Sequence, residues 1–149
     1  MKESVFILYI IIILNTTKLV GQSSTIATAK EHYKIDTTYK ECLYVSENQV
    51  YQMVGCGDKA KEAWDEEMDK YYRLLMSVLM EKEREKLKTA QKNWLAYRES
   101  EYEFAGTTYY DLQGTIWTIV ALDRKVEVVK HRAMELKNYY ETLTEKDQK

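Results

Sequence analysis

Not one proline occurs in the 149 residues, and this constrains the fold more than any motif does. Proline breaks helix interiors and fixes tight turns. Its absence removes cis-proline turns, proline-rich recognition segments and proline-terminated helices together. Only five glycines are present, too few for the many tight turns of a small β-sandwich. Such a chain makes long uninterrupted helices, provided that its apolar residues recur at helical spacing.

They do so three times. Val50, Met53, Ala60, Trp64, Met68, Tyr71, Leu75 and Leu79 recur at helical intervals, and Ser46 with Gln49 has the capping-box spacing. A first long helix is therefore expected from near Ser46 to near Met80. The second runs from about Glu83 to Phe104, with Leu87, Ala90, Gln91, Trp94, Tyr97, Arg98 and Glu101 along one side. The third runs from Leu112 or Thr115 to Leu143, with Ile116, Ile119, Val120, Val126, Val129, Ala133, Leu136, Tyr140 and Leu143 as its stripe. The expected fold is all-α, an antiparallel bundle of three long helices. Irregular points then fall to glycine: Gly55 and Gly57 predict a kink in the first helix, Gly106 and Gly114 the connection before the third.

Ahead of the bundle, Lys2 precedes an apolar run from Val5 to Leu14, and polar residues follow up to Gly21. This pattern reads as a secretory signal peptide over residues 1–21, cut after Gly21. The competing reading is an uncleaved anchor, because Leu19 is bulky for its place before the cut and Glu3 offsets Lys2. Residues 22–41, rich in Ser, Thr, Lys and Ala, read as a loose leader. The helical domain is set at 42–143 and a frayed tail at 144–149. Loss of the signal peptide leaves 20 basic and 23 acidic residues, a net charge of −3. The two signs are interspersed, so there is no electrostatic footprint for nucleic acid.

The expected location is periplasmic or secreted, with no membrane attachment once the signal peptide is cut. There Cys42 and Cys56, the only two cysteines, form the one available intramolecular disulfide. It ties the N-terminal segment to the first helix and contributes about 3 kcal/mol. With only His32 and His131 besides, neither a metal site nor a cofactor is expected.

Chemistry has few candidates. Asp65, Glu66, Glu67 and Asp69 follow the core residue Trp64, but helical geometry spreads them around the axis and no oxyanion-type loop adjoins them. His131 between Glu127 and Glu135 reads as a surface histidine with helical acidic neighbours. No catalytic residue is assigned. Gln91, Trp94 and Arg98 put an amide, an indole and a guanidinium on a stripe that faces the core. A half-buried Arg needs an acceptor, so Asp65, Gln91 and Arg98 form an expected polar clamp between the first two helices. Among thirteen tyrosines, Tyr109 and Tyr110 sit beside Trp117 in the glycine-flanked connection. These three are the candidate partner-binding residues.

Cys42, Met53 and Cys56, the run Trp64-Asp65-Glu66-Glu67-Met68-Asp69 with Tyr72 and Leu75, the segment Ala90-Gln91-Lys92-Asn93-Trp94-Leu95-Ala96-Tyr97-Arg98-Glu99, then Gly114-Thr115 and Arg132 with Glu135-Leu136 together resemble the LprI-like family. This is a small secreted bacterial domain of the lysozyme-inhibitor type. The resemblance implies an all-helical fold, an extracytoplasmic location and a protein partner, lysozyme. It also implies a second cysteine pair that is absent here, with Tyr102 at its first place. Asp69 stands where the family usually has Asn.

Three functions follow as expectations. The first is a binding protein that inhibits lysozyme, and the second an envelope structural or interaction module working through the Tyr109 to Trp117 connection. The third, a hydrolase acting through Asp65 or Glu67, requires a deep pocket that the sequence does not indicate. The chain is expected not to be an enzyme, and its oligomeric state stays open.

Overall fold

The computed structural model describes residues 34–46 and 49–146. Those from Thr38 onward form one compact unit. The signal-peptide reading and residues 22–33 of the leader lie outside the described residues. Among the described residues there are four helices rather than three. They are α1 over residues 34–45, α2 over Val50–Val78, α3 over Glu81–Tyr110 and α4 over Ile116–Lys146.

Helix α1 corrects the loose-leader reading for residues 34–41. It lacks a long apolar stripe, so it is anchored by particular contacts. The Cys42–Cys56 disulfide joins it to α2 with Cα atoms 5.7 Å apart, and the Tyr39 hydroxyl donates to Asp123 of α4. Ser46 does not open the following helix. Its N–H donates to the Cys42 carbonyl at 3.0 Å, closing α1, and its Oγ lies 3.6 Å from Cys56 Sγ. Helix α2 therefore begins three residues later than its capping-box spacing suggests, with Gln49 rather than Ser46 at the N-cap position. The tail is likewise helical as far as Lys146.

The core is the seam between α2 and α4. Ala60, Trp64, Met68, Tyr71 and Leu75 from α2 meet Ile119, Leu122, Val126, Val129, Ala133 and Leu136 from α4, all buried. The α4 set alternates steps of three and four, the spacing of a coiled-coil seam. Near the start of both helices, a Cβ on Gly57 would lie 2.2 Å from Leu122 Cδ2. Towards their other ends the rings of Tyr71 and Tyr140 lie 6.3 Å apart. The two helices thus run parallel, with α3 antiparallel to both.

Two glycine readings change accordingly. Helix α2 passes through Gly55 and Gly57 without a break, and Gly57 serves the close approach of Leu122. Gly106 lies inside α3. Only Gly114, with φ of +115°, makes the turn expected of it, a backbone conformation that residues with a Cβ rarely adopt. Among the described residues no helix is long and apolar enough to cross a membrane.

Candidate functional site

The residues of the expected clamp form two junctions. At the first, Arg98 Nη1 of α3 lies 3.2 Å from Asp65 Oδ1 of α2, and Lys61 reaches the other Asp65 oxygen at 3.0 Å. Arg98 also donates through Nη2 to Glu99 at 2.8 Å.

Gln91 stands seven residues before Arg98, about 10 Å along the helix axis, and serves the second junction. It is buried; its Nε2 donates to Met68 Sδ at 3.4 Å, and its Oε1 accepts from Arg132 Nε of α4 at 3.0 Å. Arg132 Nη1 donates in turn to Glu135 at 2.5 Å. Trp94, which stands between the junctions, has the Arg98 and Arg132 guanidiniums 5.5 and 5.9 Å from its ring centre. Of the two tryptophans taken for the core, Trp64 is 1% exposed and Trp94 is half-buried. Spacing within α3 does not reveal Arg132 as the partner of Gln91. The available signal is its place among Val129, Ala133 and Leu136, in the midst of the apolar stripe of α4.

Helix α3 holds α4 by two further contacts. Glu101 accepts from Arg124 Nη2 at 2.6 Å, and the Tyr102 hydroxyl donates to the Lys125 carbonyl at 3.2 Å. Burial, with Asp65 adding to it and Arg98 opposing, pushes the Tyr102 phenol up to about 12. Tyr102 thus bonds to α4 from a place where the family resemblance sets a cysteine.

At the tip of the bundle, Tyr109 stacks on Trp117 with ring centres 6.0 Å apart and planes inclined by 9°. Tyr110 and Trp117 line one cleft of about 510 Å³ with Arg98, Tyr102 and Lys125. Tyr110 is 88% exposed, and Leu112 and Ile116 are also exposed. The tip therefore presents large apolar side chains to solvent, a feature more typical of contact surfaces than of solvated helix ends.

The acidic run offers little free chemistry. Asp65 is held as described, and the buried Glu67 lies 2.9 Å from Lys70 Nζ. His131 is exposed, 3.6 Å from Glu127.

Comparison with solved structures places the fold beside the crystal structure of an uncharacterised protein from Burkholderia thailandensis. The TM-score is 0.67 and the identity 25%, over 74% of this chain and 55% of that one. The chain thus spans about half the length of that relative. No curated protein matches it. The family model described as lysozyme inhibitor LprI matches residues 42–136, from the disulfide of α1 to the last core residue of α4 and through both polar junctions. That span is well over half of the chain, which therefore belongs to the LprI family.

Proposed function

We propose that the protein is a secreted or periplasmic inhibitor of lysozyme that acts by binding and is not an enzyme. The observation that carries this reading is the match of the lysozyme-inhibitor family across residues 42–136. The acidic balance of the chain expected after cleavage also supports it, since lysozymes are typically cationic and opposite charge speeds encounter. The exposed tip, with Tyr110, Leu112 and Ile116 around the Tyr109–Trp117 stack, is the proposed contact surface. The non-enzymatic reading is supported by the ion pairs that occupy Asp65 and Glu67.

The test is muramidase activity with an excess of the protein lacking residues 1–21, on several lysozyme types. Inhibition that Tyr110→Ala with Ile116→Ser weakens is the expected result. Unimpaired activity of every lysozyme would overturn it. The second reading, an envelope interaction module using the same tip, rests on the same exposed residues. Capture of an envelope protein without lysozyme inhibition, lost on the same substitutions, would select it.

A further inference from the structure

Away from the tip, α3 and α4 leave a groove of about 820 Å³ between them. Trp94 and Tyr97 line it from α3, and Val128, Met134, Tyr139 and Leu143 from α4. Tyr97 and Tyr139 are about half exposed and Leu143 more than a third, so the apolar lining is open to entry. The volume lies in the range that takes small ligands rather than single waters.

Arg132 also lines this groove, although its side chain is only 8% exposed. Its charge is incompletely answered. Nε bonds a neutral amide, Gln91, and Nη1 bonds Glu135, whose own side chain is half exposed. Nη2 has no protein acceptor among the described residues. A guanidinium that is mostly buried but keeps one donor open to solvent beside an apolar surface is suited to a ligand that is apolar along its length and anionic at one end. The other charged groups at the groove are Arg124, which is bonded to Glu101, and the exposed His131. Among the described residues that line the groove Glu135 is the one carboxylate, and it competes for the position an incoming anion would take.

We propose that this groove binds a single-chain anionic amphiphile, an apolar chain ending in one carboxylate, with the carboxylate on Arg132 and the chain along Trp94, Tyr97 and Tyr139. The site lies apart from the tip and does not rest on lysozyme binding. A cationic partner would be repelled by Arg132, so the two ligands differ in sign as well as in place.

The probe is dodecanoate below its micellar concentration, titrated calorimetrically into the protein lacking residues 1–21. Dodecanol and dodecyltrimethylammonium serve as controls with the same chain. Dodecanoate is expected to bind at least about tenfold tighter than either, the size of one hydrogen bond to a charged group. Arg132→Met is expected to abolish that preference. Glu135→Gln, which removes the internal competitor, is expected to tighten dodecanoate severalfold, an effect that a merely structural role for Glu135 does not produce. Should Arg132→Met fail to fold, Glu135→Gln and Tyr139→Glu, both on accessible side chains, still decide the matter. The proposal is overturned by absence of binding, by equal binding of all three amphiphiles, or by dodecanoate affinity indifferent to these substitutions. It is also overturned by a dimer at the assay concentration that Tyr139→Glu dissolves, since the groove would then belong to a second copy.

Discussion

Helix α2 contributes eight buried residues and α3 only two, although they are 29 and 30 residues long. The α2–α4 seam is held by apolar side chains, each contributing about 1.5–3 kcal/mol when fully buried. Helix α3 is held largely by polar contacts at residues that remain partly exposed, and such pairs contribute about 0–1 kcal/mol each. Where the family signature is densest, from Ala90 to Glu99, the helix is therefore secured by geometry more than by burial. The difference implies an order of opening, with α3 exchanging its amides before the seam does.

The sharpest way to break this comparison is to truncate one tryptophan in each region. Trp64→Ala in the seam is expected to cost about 4 kcal/mol, measured by urea unfolding, whereas Trp94→Ala in α3 should cost less than half of that. Equal costs would mean that α3 shares the core. Next in size is the link to α1. Replacing Cys42 and Cys56 by Ser is expected to remove about 3 kcal/mol. Hydrogen exchange should then rise in α1, while the seam keeps its order of protection.

The sign of a third substitution separates two explanations of one glycine. If Gly57 marked a kink, Gly57→Ala would stabilise the helix by about 1 kcal/mol through propensity. The Cβ would instead meet Leu122 Cδ2 at 2.2 Å and Cγ at 2.3 Å, so a loss of about 2 kcal/mol is expected from overpacking. Thermal unfolding of the variant decides between them.

The same glycine shows what was legible beforehand. The stripes of α2 and α4 could be read because a buried face repeats with the helical period, and the disulfide because only two cysteines exist. The role of Gly57 could not, since a glycine signals freedom or proximity alike and only the facing Leu122 tells which. Helix α1 went unread because a few specific bonds from Tyr39, Cys42 and Ser46 hold it, without a periodic face. Arg98 with Asp65 was legible, as a charge on a core-facing stripe needs an acceptor. Gln91 with Arg132 was not, because the partner lies 41 residues away on a third helix, and spacing within α3 does not tell which neighbouring helix its side chain meets.

A double-mutant cycle sharpens the comparison at its polar side. Asp65→Asn and Arg98→Met are expected to show a coupling of about 1 kcal/mol or less, since both side chains keep roughly a quarter of their surface in water. A coupling several times larger would place that junction among the principal supports of the fold.

An effect of similar size concerns Tyr102, and it is read by pH. Its phenol is raised in the folded protein from 10.0 to about 12, chiefly by burial. Between these values the unfolded chain releases a proton that the folded chain retains, so the folded state binds more protons there. Stability is then level below pH 10 and falls as the pH rises towards 12. Tyr39 is shifted in the same direction by burial and by its bond to Asp123, so two phenols share the slope, one on α3 and one on α1. Tyr102→Phe is expected to lose about 1 kcal/mol at pH 7 with the bond to the Lys125 carbonyl, and to flatten part of the alkaline slope. Tyr39→Phe should flatten the other part. If Tyr102→Phe leaves the slope whole, the phenol is as accessible folded as unfolded, and α3 is held to α4 without it.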